Sequence, residues 1–171
     1  MSTRRLPRGV SPVIPGPGQE SVWDYPRPPR IEASRRHVVV VLGGAVVAES
    51  RRALRVLETS HPPGYYIPAD DWRPGALVPG DGTSSCEWKG TARYFDVHGG
   101  GCVARAAAWD YPDPSPAAAP IAGCVSVYPG RMDRCEVDGV AVSAQDGGFY
   151  GGWITDDVVG PFKGASGTWG W

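Results

Sequence analysis

His37-Val38-Val39-Val40-Val41-Leu42, then Gly43-Gly44, then Ala45-Val46-Val47-Ala48-Glu49 is the stretch that decides the fold class. Two apolar, β-favouring runs flank a Gly-Gly pair, and such a pair supplies the positive φ angles of a tight turn, so the stretch predicts a β-hairpin. Outward from it the same pattern recurs. Residues 52–58 run into the breaker His61-Pro62-Pro63-Gly64 and are short, which predicts a strand rather than a helical turn. Tyr65-Tyr66-Ile67-Pro68 predicts another short extended piece, and Asp70 is placed to cap one helical turn after it. A Gly/Pro/Ser loop is expected to reach Ser85. Residues 86–97 and 102–111 then predict two strands joined at His98-Gly99-Gly100-Gly101, and residues 121–128 a third. Between the last two, residues 112–120 can hold one turn of helix. Residues 132–142 predict a final hairpin that turns at Asp138-Gly139.

Composition agrees with a mainly β chain. Of 171 residues, 24 are Gly and 18 Pro, which disfavours long helices and favours short strands joined by turns, while an apolar content of 42% is enough for a buried core. The charge is uneven along the chain. Residues 1–55 carry ten Arg against Glu20, Asp24, Glu32 and Glu49, so with a total of −1 the remainder stands at −7. A basic front can meet nucleic acid or an acidic partner, but arginines scattered on an extended arm are ordinarily solvated, so nucleic acid is not an expected partner. No stretch is long enough to cross a membrane. Cys86, Cys102, Cys124 and Cys135 form no C-x-x-C pair, and no apolar run follows the basic residues 1–8. Pro15-Gly16-Pro17-Gly18 stands where a twin-arginine signal at Arg4-Arg5 would need one. A cytoplasmic protein with reduced thiols is expected.

Three segments follow. Residues 1–36 read as a Pro/Arg-rich arm whose second half, with Val22, Trp23, Tyr25 and Ile31, packs on the domain; residues 37–139 form the core domain. Residues 140–171 are rich in glycine but carry Phe149, Tyr150, Trp153, Phe162, Trp169 and Trp171, too many rings for a solvated tail. One motif links two of these segments. Trp23-Asp24-Tyr25-Pro26-Arg27-Pro28 and Trp109-Asp110-Tyr111-Pro112-Asp113-Pro114 are the same hexapeptide, W-D-Y-P-x-P, written twice. Each copy is a stiff strip offering two flat rings. The copy at Trp109 is expected in a pocket and the copy at Trp23 as a strap on the outside, clasped with the aromatic C-terminal segment.

Chemistry is less plainly written. If residues 83–94 were one strand, Cys86, Trp88 and Gly90 would share one face and Glu87, Lys89 and Thr91 the other. A nucleophile reading pairs Cys86 with His61 as base and Glu58 orienting the imidazole, because a thiolate needs a neighbouring base or cation near neutral pH. The cysteines and histidines lack the paired spacing of structural zinc sites, so no metal and no cofactor is expected. Residues 160–168 have the residue types of a phosphate loop in the wrong order, and Asp70-Asp71 and Asp156-Asp157 would diverge on a strand. The remaining candidate is an aromatic pocket built from Tyr65, Tyr66, Trp88, Tyr94, Trp109, Tyr111 and Tyr128 with Glu58 and Lys89, suited to a flat or cationic ligand.

Residues 56–63, Tyr65-Tyr66-Ile67-Pro68, Cys86-Glu87-Trp88-Lys89-Gly90-Thr91-Ala92 with Tyr94, and Ala107-Ala108-Trp109 with Tyr111-Pro112 carry a family likeness. The chain resembles the family known as domain of unknown function 427, sometimes labelled a nucleotidyltransferase. The shared domain spans roughly residues 38–139, and the family's long form also matches the Trp23 arm and the stretch from Gly151 to Gly164. The resemblance implies a β-tent-like fold, two small antiparallel sheets meeting at a steep angle over a pocket. Zinc-bearing proteins such as methionine sulfoxide reductase B and the thalidomide-binding domain of cereblon share that architecture, but this chain lacks their paired cysteines. The family's usual C-P-W-K-G reads C-E-W-K-G here. Positions matching its characteristic residues are Glu58, Tyr66, Pro68, Cys86, Trp88, Lys89, Gly90, Tyr94, Trp109 and Tyr111.

The reading that follows is a protein binding a small molecule or a peptide end in an aromatic-lined cleft, with Glu58, Tyr66, Trp88, Lys89, Tyr94, Trp109 and Tyr111 as ligand-binding residues. Lys89 would contact an anion and Glu58 accept a hydrogen bond. One alternative is a hydrolase or transferase with Glu58 or His61 as base and Cys86 as nucleophile. The other makes the rings core and homodimer contacts only.

Overall fold

Val38, Val40 and Val41 are almost wholly buried, and the strand they form is the central rib of the smaller of two antiparallel sheets. In the computed structural model, which describes residues 5–171, the chain is mainly β. What was read into residues 1–4 lies outside the described residues. The strands run in chain order as β1 (Glu20–Ser21), β2 (Arg30–Ala33), β3 (Val38–Leu42), β4 (Ala45–Ser50), β5 (Leu54–Leu57), β6 (Gly64–Pro68), β7 (Leu77–Cys86) and β8 (Gly90–Gly99). They continue as β9 (Cys102–Asp110), β10 (Cys124–Val127), β11 (Arg134–Val137), β12 (Val140–Ala141), β13 (Ser143–Ala144), β14 (Trp153–Ile154) and β15 (Val158–Val159). A seven-stranded sheet has the order β2-β5-β6-β10-β9-β8-β7 and a four-stranded sheet the order β12-β11-β3-β4. Two short pairs, β1 with β15 and β13 with β14, fasten the ends of the chain.

The β3–β4 turn has φ of 60° at Gly43 and 74° at Gly44, the left-handed pair that a two-residue hairpin turn requires. Gly43 is fixed by space as well. A Cβ there would stand 2.2 Å from the carbonyl oxygen of Gly99, so this turn and the β8–β9 turn touch backbone to backbone. The strand over residues 52–58, the short strand after Gly64 and the hairpin at Asp138-Gly139 are all present. So is helix before β10, as a 3-10 segment over Pro116–Ile121.

Three local expectations fail. The loop expected before Ser85 is strand β7, an edge strand whose register breaks between Pro79 and Thr83; a bulge at an edge accommodates Pro79, Gly80 and Gly82 without costing a central ladder. Residues 86–97 are not one strand, because Cys86 pairs with Gly90 and Glu87, Trp88 and Lys89 form the turn between β7 and β8. The alternation of faces read there does not exist, and Glu87 occupies a turn. Asp70 does not cap the 3-10 turn Ala69–Asp71, which starts from Pro68 with no side-chain cap; its neighbour Asp71 instead takes a bidentate pair from Arg52 and a hydrogen bond from Ser50.

The main core gathers side chains from both sheets, among them Val38, Val40, Ile67, Val97, Val125 and Val127. Trp153 completes it. This ring is fully buried, stacks on Tyr65 at 4.8 Å, and donates its indole N–H to the carbonyl oxygen of Val127. The C-terminal segment is therefore part of the core. A second cluster, with Val56, Tyr66, Trp109, Tyr111 and Ile121, lies elsewhere on the larger sheet. A third joins the arm to the domain through Val22, Tyr25, Leu57 and Val158, and β2 of the arm pairs with β5 at the edge of the larger sheet.

The uneven charge is resolved inside the molecule. Arg27 pairs with Glu58, Arg36 with Asp138 and Asp157, and Arg52 with Asp71, each joining the basic front to the acidic remainder. Arg55, buried, is clamped by Glu20 and Glu32. These arginines are not simply solvated, as the composition had implied. Exposed pairs of this kind each add little to stability, but together they orient the arm on the domain.

Candidate functional site

After Leu57 the chain leaves β5 through Glu58-Thr59-Ser60-His61, with Ser60 at φ 73°. A serine in this conformation must be held by its surroundings, and here the arm does the holding. Ser60 N–H donates to the carbonyl of Val22, Thr59 N–H to that of Pro26, and the Thr59 hydroxyl to that of Tyr25. The first hexapeptide thus fastens the turn that carries Glu58 and His61.

That turn forms one wall of a cavity of ≈ 400 Å³. Tyr66 from β6, Tyr94 from β8, and Trp109 and Tyr111 at the end of β9 form another, and the turn residues Trp88 and Lys89 face them. All seven residues expected to bind a ligand line this one cavity, and His61, Cys86 and Tyr128 line it too. Tyr65 does not. It points to the main core against Trp153, because neighbours on a strand face opposite sides of the sheet.

The rings are locked to one another. Trp109 donates its indole N–H to the Tyr66 hydroxyl at 3.3 Å, its ring lies 4.5 Å from that of Tyr128, and Tyr94 shares a hydrogen bond of 2.8 Å with Ser84. The Glu87–Lys89 turn is tied down by Ser115, whose hydroxyl donates to the Trp88 carbonyl and whose N–H donates to that of Lys89. Gly151 closes the wall behind Trp109: a Cβ there would come within 2.1 Å of the indole.

The charged groups are equally constrained. Arg27 reaches Glu58 Oε2 at 3.3 Å and His61 Nε2 reaches the same oxygen at 3.4 Å. Burial works to raise the Glu58 pKa, but the hydrogen bond from His61, with the fields of Lys89 and Arg27, outweighs it and holds the carboxyl below its ordinary value. Lys89 Nζ stands over the Tyr111 ring at 5.8 Å. Burial drives its ammonium toward neutrality, yet Tyr66, Cys86 and Glu58 reverse the sign and its pKa is raised. Burial also raises the pKa of the Tyr66 and Tyr111 phenols.

His61 is held by a residue the sequence did not single out. Gln145, buried, accepts from Gly152 N–H through Oε1 and donates through Nε2 to the Lys163 carbonyl, which fixes the orientation of its amide. The second N–H of Nε2 then faces His61 Nδ1 at 3.2 Å. Nδ1 must therefore be the acceptor, and the ring proton sits on Nε2, directed at Glu58. Both imidazole nitrogens are engaged. Among the described residues no hydrogen bond joins Cys86 to His61, though both line the cavity.

Arg27, Gln145, Tyr150, Lys163 and Trp171 also line the cavity and were not anticipated. Only Arg27 carried a signal, as the variable position of the first hexapeptide. A second, more open hollow lies between His37, Glu49, Arg51, Arg52 and Asp71. Among the described residues no group of three or more His, Cys, Asp or Glu side chains is gathered to hold a metal ion, and no helix is long and apolar enough to cross a membrane.

Residues 30–138 match the family model described as "Domain of unknown function (DUF427)". The match covers more than half of the chain, and the chain belongs to this family. No characterised protein in the curated comparison matches it.

Proposed function

We propose that the chain binds a small ligand in this cavity, gripping a flat body between aromatic walls. The observation that carries the reading is the convergence of Glu58, Tyr66, Trp88, Lys89, Tyr94, Trp109 and Tyr111 on one cavity of ≈ 400 Å³, a size suited to small molecules. Binding is favoured over hydrolysis or group transfer by the state of the candidate bases. Glu58 is already paired to Arg27 and His61, and the imidazole is engaged on both sides. The arm and the C-terminal segment belong to the same working unit, since Arg27, Gln145 and Lys163 all reach the cavity. Cytoplasmic residence fits four thiols of which none is in a disulfide.

A thermal-shift screen of small planar compounds on the full chain tests the reading. A ligand at a hundred times its Kd stabilises the native state by about 2.7 kcal/mol, a shift of several degrees. Hits are expected to lose their shift in Trp88→Ala, which removes a half-buried turn residue of the cavity wall. Shifts that persist unchanged in that variant would place the binding elsewhere.

A further inference from the structure

We infer that the ligand is a small planar anion, seated with its acidic group toward Lys89 and its flat body along Trp109 and Tyr128. This rests on the cavity being the binding site and goes on to its chemistry. An aromatic-walled pocket ordinarily suggests a cationic guest, because ring faces attract positive charge. In this cavity the protein has already supplied the cations. Lys89 Nζ stands 5.8 Å from the centre of the Tyr111 ring, and Lys163 Nζ stands 5.5 Å from that of Tyr150.

A cationic guest would also need a carboxylate to meet it. Glu58 is the carboxylate within the walls, and its Oε2 already takes Arg27 at 3.3 Å and His61 at 3.4 Å, with Lys89 close enough to act on its charge. The His61 donor cannot be withdrawn by a tautomer change, because Gln145 presents an N–H to the other ring nitrogen and is itself pinned by Gly152 and Lys163. The second lining carboxylate, Glu87, is exposed on the turn at the rim. The Arg27 guanidinium and a histidine N–H thus converge on one carboxylate, which leaves Lys89, not in an ion pair with it, as the group an incoming charge would meet. Lys163 also lines the cavity, where burial lowers its pKa and repulsion from Arg27 lowers it further against the opposing pull of Glu58. An anion entering here relieves that repulsion.

A matched set of probes separates charge from shape. Naphthalene-2-carboxylate, its neutral amide and the corresponding trimethylammonium compound share one flat body, and each is titrated calorimetrically into the full chain at pH 7 and low salt. The carboxylate is expected to bind at least tenfold more tightly than the amide, and the ammonium most weakly. Raising the salt should weaken the carboxylate and leave the amide unmoved. Lys89→Gln should bring the carboxylate to the amide's affinity, while Lys89→Arg keeps the preference. Equal binding of carboxylate and amide, or tightest binding of the ammonium, overturns the inference and leaves the cavity reading standing. A preference that survives Lys89→Gln in a folded variant overturns the assignment to Lys89. Absence of binding by all three at millimolar concentration counts against the cavity reading itself.

Discussion

The two W-D-Y-P-x-P copies share five residues of six and adopt different structures. At the first, Val22–Asp24 is a 3-10 turn, Trp23 is half-exposed with its indole N–H on the Pro161 carbonyl, and Tyr25 is the ring that goes inside. At the second, Trp109 and Asp110 end strand β9, and Trp109 and Tyr111 are both buried in the cavity wall. The difference comes from what each copy meets. The first lies beside the Glu58–His61 turn and gives it backbone carbonyls; the second continues a strand already paired on both sides, by β8 and β10. A hexapeptide of rings and prolines is therefore a stiff connector whose rings are sorted by tertiary context. The first copy packs on the domain as a strap, but it is not only an outer clasp. The clasp also feeds the site, because its variable residue, Arg27, reaches Glu58.

The largest effect that separates the copies should come from their tryptophans. Trp109→Ala removes a buried ring and orphans the Tyr66 hydroxyl, and is expected to cost about 3–5 kcal/mol in chemical denaturation; Trp23→Ala, half-exposed, should cost about 1 kcal/mol. Equal losses would break the distinction. Next comes Gly151→Ala, which forces a methyl into Trp109 and should cost about 1–3 kcal/mol, whereas Gly148→Ala, with open space around it, should cost little. At the variable position, Arg27→Met strips a partner from Glu58 and should cost about 1–2 kcal/mol, against less than about 0.5 kcal/mol for the exposed Asp113→Asn.

The smallest effect is one of pH. The folded Glu58 carboxyl lies below its ordinary 4.5, so the unfolded chain binds more protons there. Its contribution to stability is fully present above about 4.5 and is lost as pH falls through the lower folded value. Glu58→Gln should flatten that part of the acid-denaturation curve, and Arg27→Met should move the loss to higher pH. A curve unchanged in both variants would mean that the first copy does not act on Glu58. The tautomer has its own signature: Gln145→Glu turns the donor facing Nδ1 into an acceptor, so the nitrogen NMR signals of His61 should change from one protonated nitrogen to two.

Local signals and legibility coincide in this molecule. The Gly43-Gly44 and Asp138-Gly139 turns were readable because the residues that need positive φ are the residues present, between runs that favour strands. Strand β7 was not, because Pro79, Gly80 and Gly82 suppress alternation, and only pairing with β8 around a bulge makes the segment extended. Trp88 read as a strand residue for the opposite reason, since an aromatic in a three-residue turn looks like one step of an alternating pattern. The cavity's rings were legible as a cluster near Cys86 and Trp109. Its polar frame was not: Arg27, Gln145 and Lys163 lie far from Glu58 in sequence, and only the docking of the arm and the C-terminal segment brings them to it.

The most direct measurement is a crystal structure of the full chain with naphthalene-2-carboxylate bound. The account predicts electron density for the probe inside the cavity, its ring system against Trp109 and Tyr128 and its carboxylate within hydrogen-bonding distance of Lys89 Nζ. Density in the open hollow beside Arg51 and Arg52, with the aromatic cavity vacant, would contradict it.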